Sequence, residues 1–420
     1  MGKCRGEKKV KIDSTDPCAP PEPGGGSKPA EATPAEGPLA WFGEMIPHCL
    51  DYARAAKDGG RPVVGIACEY TPRELIMAAG AVPVCLCGGS AETIAPAEED
   101  LPANLCPLIK STYGFHVEKS NPFLEMADLI VAETTCDGKK KMYEMLAESR
   151  PMYVLELPQK PADADAMTHW RRELDKLKDE LESRFGVTIT DEKLRQATAV
   201  MNRERFLRRE LASLMTSDCP PLTGRQLLDF KSSISGIPAD FAQYEKAIEM
   251  LRGSSGEPAT AGKVRVLLTG VPIVHGAERA LEIVEDHGGL VVCMENCTGI
   301  KPILEDVDAE ADDLIGAVAE RYFHLPCSVM TSNERRIENL RRLAKDYRPE
   351  CIIELVWQAC LTYDVESFFI KQFAEKELGI PYLLVETDYS PSDSARIAVR
   401  AEALFETIRR SAAKAPPMGK

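Results

Sequence analysis

No stretch of this chain is long and apolar enough to cross a bilayer. Its most apolar runs, such as residues 264–268 and 351–356, fall far short of the roughly 20 residues a spanning helix needs. The basic residues of the first eleven positions have no apolar region behind them, so a secretory signal is not expected and the chain is read as cytoplasmic. Basic residues are also in deficit, 51 Lys and Arg against 66 Asp and Glu, for a net charge of −15. Binding nucleic acid requires a cationic face, so this partner class is excluded. There is no CxxC pair, which argues against a structural zinc site and against the close cysteine runs of ferredoxins. The GxxxxGK[ST] loop that would cradle nucleotide phosphates is absent as well. Gly270 and Gly276 lack the GxGxxG spacing of a nicotinamide site.

What is present is cysteine, fourteen in 420 residues. In a reducing compartment these do not read as disulfides. A buried free cysteine behaves as a small hydrophobe, so position must separate ligands from packing.

The length argues for about two or three domains. Residues 1–38, with Pro20-Pro21, Gly24-Gly25-Gly26-Ser27 and the cysteines Cys4 and Cys18, read as a flexible extension. An amphipathic helix is expected through Trp41, Met45 and Leu50, with Cys49 packed on it. Residues 39–160 alternate helical periods with short apolar runs at 63–67, 82–86, 129–132 and 152–155. Residues 263–420 do so again at 264–268, 289–292, 351–356 and 382–385. Such βαβ alternation implies parallel sheets. The intervening 161–262 reads as helical, with a hairpin over 162–215 and Thr190 as a helix cap. The expected fold is α/β: two Rossmann-like parallel-sheet domains with an intervening helical segment.

The two series repeat one cysteine pattern. The second strand leads to Cys85-Leu86-Cys87-Gly88 in one and to Cys293-Met294-Glu295-Asn296-Cys297 in the other. A cysteine beside proline precedes each third strand, Leu105-Cys106-Pro107 and Pro326-Cys327. Each third strand then runs into a cysteine, Thr135-Cys136-Asp137 and Ala359-Cys360-Leu361. In open parallel sheets ligands bind beyond the carboxyl ends of the strands, where Cys136, Cys360 and Cys68 fall. At the start of a helix a thiolate is favoured by the helix dipole and free amides. Any cluster here must be held by widely separated cysteines.

The segments Pro72-Arg73-Glu74-Leu75, Leu105-Cys106-Pro107, Thr135-Cys136-Asp137, Gln358-Ala359-Cys360 and Gly379-Ile380-Pro381-Tyr382 give the chain, over roughly residues 40–410, its family likeness. It resembles the 2-hydroxyacyl-CoA dehydratase and benzoyl-CoA reductase superfamily, and within it the double-cubane cluster proteins. The resemblance implies that Cys106, Cys136 and Cys360 hold a [4Fe-4S] cluster. In the double-cubane members an [8Fe-9S] assembly needs six cysteines. Cys68, Cys297 and Cys327 are the additional candidates, with Cys87 and Cys293 in reserve. It further implies a separate ATP-hydrolysing iron–sulfur activator as electron donor, a small-molecule substrate of the acetylene type, anaerobic chemistry and a homodimer. The alternatives are a dehydratase subunit with one [4Fe-4S] cluster and a non-catalytic electron-storage or cluster-carrier protein. Glu69, Glu133, Glu295 and His275 are candidate proton donors near strand ends; each is equally a solvated or internally bonded residue. Lys139-Lys140-Lys141 reads as a solvated helix face, with docking of an acidic partner as its functional alternative.

Overall fold

The structure, a computed structural model, describes residues 37–252, 260 and 262–414. Cys4, Cys18 and the expected extension up to residue 36 lie outside the described residues. The first described helix is Pro38–Gly43, and Met45–Asp58 follows across a break at Glu44. The single helix expected through Trp41, Met45 and Leu50 is therefore two. Cys49 is buried in the second, its thiol 3.2 Å from the Ser232 hydroxyl.

Two sheets of four strands each follow. The first contains β1 (Val63–Ile66), β2 (Val82–Cys85), β3 (Leu129–Glu133) and β4 (Met152–Leu155) in the order β2-β1-β3-β4. The second contains β5 (Val264–Gly270), β6 (Gly289–Glu295), β7 (Cys351–Trp357) and β8 (Tyr382–Thr387) in the matching order β6-β5-β7-β8. Every pairing is parallel. Of the central strands β1, β3 and β7 are buried along their whole length and β5 at all but Arg265, because helices cover both sheet faces.

Several strands run further than their apolar patterns suggest. Thr269, Glu295 and Thr387 continue the ladders of β5, β6 and β8; backbone pairing is indifferent to side-chain polarity as long as the polar groups find partners. Strand order reverses between β1 and β3 and again between β5 and β7. At the second of these points Gly270 has φ +108°, and an added Cβ would stand 2.0 Å from the Leu355 carbonyl oxygen. Only glycine fits there.

Between the sheets in sequence lie the helices Ala166–Phe185 and Asp191–Ser213, the hairpin expected over 162–215. Gly186, at φ +63°, ends the first, and the Thr190 side chain accepts from the Lys193 amide to open the second. Leu174, Leu177 and Leu181 face one core with Leu129, Val131 and Leu155 of the first sheet. Among the described residues no helix is long and apolar enough to cross a membrane.

A buried polar knot joins three parts of the chain. Arg205 of the hairpin bonds Glu74, and Tyr322 from the second half donates to the same carboxylate at 2.8 Å. Arg205 and Glu74 are almost wholly excluded from solvent. Removing one partner of such a pair strands a buried charge. Glu74→Ala should therefore cost about 3–5 kcal/mol in urea unfolding, and Tyr322→Phe about 1 kcal/mol.

Candidate functional site

The carboxyl ends of both sheets look onto one cavity of about 1050 Å³. Eight cysteines line it: Cys68, Cys85, Cys87, Cys106, Cys136, Cys297, Cys327 and Cys360. The six singled out from the sequence are all among them, in two groups distinguished by local structure.

Cys106, Cys136 and Cys360 are each the residue that opens a helix: Pro107–Glu118, Asp137–Ala147 and Leu361–Gln372 respectively. Cys106 and Cys360 share a hydrogen bond. This bond lowers the pKa of Cys106 and raises that of Cys360; burial opposes the lowering, and the amides of Leu108 and Ile109 assist it. At Cys136 burial outweighs the Lys139 amide and ammonium, and the thiol is raised. Ala359, immediately before Cys360, has φ +57°, a left-handed conformation uncommon outside glycine.

Cys68, Cys297 and Cys327 lie on turns instead. Together with Tyr70, Lys301 and Leu325 they also border a smaller void. The Cys297 turn is held by Asn296, whose Oδ1 accepts from the amides of Thr298 at 3.2 Å and Gly299 at 2.8 Å. Burial pushes Cys68 well up and Cys297 to about 12, and the mutual proximity of these sulfurs adds to both shifts. Thiols so disposed ionise when a cation takes the place of the proton. Among the described residues, no group of three or more His, Cys, Asp or Glu side chains converges closely enough to hold one metal ion.

The four proton-donor candidates separate. Glu69 lines the cavity; burial would raise its pKa, but Arg73 at 2.9 Å and Lys231 at 3.6 Å hold it down at about 2. It is a fixed carboxylate and cannot donate a proton near neutral pH. Glu133 is buried behind the wall, and burial lifts it to about 8 against a hydrogen bond from Thr71 and the charges of Lys139 and Arg73. Glu295 does not reach the cavity either: it is fully buried between Lys301 and Arg336, each at 3.2 Å. It forms a buried ion pair with Arg336, a partner 41 residues away in sequence. His275 reaches the cavity, one ring nitrogen 3.2 Å from the Lys231 carbonyl oxygen and the other 3.5 Å from Glu278.

Of the two reserve cysteines, Cys87 lines the cavity, while Cys293 packs in a separate core with Leu267, Val292 and Tyr347. Cys85 was not singled out as a ligand. It shares the strand parity of Cys87, which was the available signal, and stands 3.6 Å from the Arg73 guanidinium. Lys231, Ser232 and Ser233, from the connecting segment, also line the wall; no periodicity marks them. The Lys139–Lys141 run divides: Lys140 and Lys141 are exposed, whereas Lys139 lines the cavity.

Comparison with known proteins yields one family and several full-length relatives. The family model described as 2-hydroxyglutaryl-CoA dehydratase, D-component, matches residues 68–408. YjiM of Escherichia coli (strain K12), provisionally named a dehydratase subunit, is 40% identical, covering 84% of this chain and 93% of its own. The (R)-phenyllactyl-CoA dehydratase beta subunit of Clostridium sporogenes is 23% identical over 83% of this chain and 92% of its own. Lactoyl-CoA dehydratase subunit beta of Anaerotignum propionicum is 25% identical over the same shares.

The two perturbed carboxyls act oppositely on stability. Glu133 ionises more readily in the unfolded chain, so its contribution is complete below about pH 4.3 and falls as pH rises toward 8. Glu69 contributes above the ordinary carboxylate range and loses its contribution as pH falls toward 2. Glu133→Gln should therefore flatten the decline in unfolding free energy between about pH 4.5 and 8, by roughly 3–5 kcal/mol across the window. Denaturant titrations of the metal-free protein at several pH values measure this.

Proposed function

The chain belongs to the 2-hydroxyglutaryl-CoA dehydratase D-component family, and from this premise we propose that it is the iron–sulfur reductase component of a two-protein system. A separate ATP-hydrolysing iron–sulfur activator would supply its low-potential electrons. A small unsaturated molecule of the acetylene type would be reduced in the cavity. The observation that supports this reading is the second cysteine trio. Cys106, Cys136 and Cys360 suffice for one [4Fe-4S] cubane, and Cys68, Cys297 and Cys327 line the same cavity. Six thiols match the ligand requirement of a double-cubane [8Fe-9S] cluster.

When bound, that cluster supplies one-electron reduction at very negative potential. The chain's part is to hold and enclose it. Helix-opening positions present Cys106, Cys136 and Cys360 against free amides that favour thiolates. The apolar wall residues Leu108, Ile109, Val274 and Trp357 exclude water from the reacting centre. Protons must accompany electrons, and His275 is the candidate that reaches the cavity without being held as a carboxylate. Acid–base catalysis from such a position is within the reach of an imidazole.

A second reading is a 2-hydroxyacyl-CoA dehydratase subunit with one [4Fe-4S] cluster; the names of the relatives favour it. We further propose that a second copy of the chain covers the exposed stripe Leu361, Val365, Phe368 and Phe369. These lie on one face of the helix opened by Cys360, and the relatives are named as subunits of larger enzymes.

Iron and sulfide analysis after anaerobic purification tests the assignment. About eight irons per chain is the expected result, and Cys297→Ser should lower that content to about half. About four irons in the wild type would favour the dehydratase reading, and none would overturn both. Acetylene reduction dependent on the activator then distinguishes a catalyst from an electron carrier. Phe368→Glu should shift the chain from dimer to monomer in sedimentation.

A further inference from the structure

The lysine run at the start of helix Asp137–Ala147 is split by its environment. Lys140 pairs with Asp137 at 2.7 Å and Lys141 with Glu144, both at the surface. Lys139 turns into the cavity wall, where Nζ donates to the Ala67 carbonyl at 3.2 Å. That carbonyl is also the acceptor facing the Cys87 thiol, at 3.9 Å, and it belongs to the residue before Cys68. The Lys139 backbone lies three residues beyond Cys136. The ammonium thus spans from one cysteine trio to the other.

Its surroundings are unusual for a cation. Among the described residues no carboxylate lies within ion-pair distance of Lys139, although its charge acts on the buried Glu133 carboxyl, while Lys231, another cation lining the cavity, shares Glu69 with Arg73. An ammonium removed from bulk water is costly unless an anion faces it. The ionisable groups that face it are the thiols of Cys68, Cys87 and Cys136 and the Tyr143 phenol, none of which is held as an anion until a metal takes a thiol proton. A Cβ at Gly138 would stand 2.8 Å from the Ile109 side chain and 2.9 Å from that of Leu105.

Resting on the iron–sulfur reading above, we propose that Lys139 is a positioning residue for redox chemistry: its ammonium balances the negative charge of the sulfur-ligated iron between the two trios and raises its reduction potential. Adding an electron increases that negative charge, so a fixed cation in contact favours the reduced form.

The test compares Lys139→Met and Lys139→Arg with the wild type after anaerobic reconstitution with ferrous iron and sulfide. Iron content is measured first, then the midpoint potential by redox titration followed by electron paramagnetic resonance. K139M should bind as much iron as the wild type and become at least tenfold harder to reduce, a shift of 59 mV or more to negative potential for one electron. K139R should stay with the wild type. Loss of iron in K139M overturns the proposal, because it would make Lys139 a requirement for binding and not a residue that sets the potential. Equal potentials in K139M and the wild type overturn it. So does an equal defect in K139R and K139M, which would make the effect one of shape. A wild type that takes up no iron removes the underlying functional reading instead, a result distinct from either.

Discussion

Charge balance around a thiol-lined cavity is the constraint on which the rest of this structure depends. Glu69, Glu295 and Glu74 are each met at short range by at least one cation brought from elsewhere in the chain. Glu69, just past β1, is held by Arg73 and by Lys231 of the connecting segment. Glu295, at the end of β6, is held by Lys301 and by Arg336 of a later helix. Glu74 is held by Arg205 of the hairpin. These contacts therefore neutralise buried charge and lock the separate elements together. Buried pairs add less net stability than their Coulomb energy suggests, but breaking any of them is expensive. The cavity can hold its shape without being filled by side chains.

The internal repeat has a consequence for the site. Both halves use the same strand order, yet neither supplies a complete cysteine trio. Cys106 and Cys136 come from the first half and are joined by Cys360 from the second; Cys297 and Cys327 come from the second and are joined by Cys68 from the first. Any group bound by either trio must bridge the halves, so its binding energy is also docking energy for them. Lys139 extends the pattern as a cation placed between the trios.

The strands were legible because sheets buried on both faces read as short apolar runs, and the cysteines were legible because parallel sheets place their sites at the strand ends. Other features depended on contacts distant in sequence. Nothing local distinguishes Cys293, which packs in a core, from Cys297 four residues later, which reaches the cavity. The ion pairs that make Glu295 structural and Glu69 a permanent carboxylate involve arginines and lysines that look like surface residues. Lys139 sits in a run of three identical side chains, and only the geometry of the helix start sends one inward. The wall formed by Lys231, Ser232 and Ser233 comes from a loop between helices, where hydrophobic periodicity carries no information.

The central claim is that both cysteine trios serve one metal–sulfur group in one cavity. Anomalous diffraction at the iron edge, on crystals of the anaerobically loaded protein, tests it most directly. The account predicts iron density spanning the cavity, with Cys106, Cys136 and Cys360 ligating one side and Cys68, Cys297 and Cys327 the other. Iron confined to the first trio, with the second left as free thiols, would contradict it.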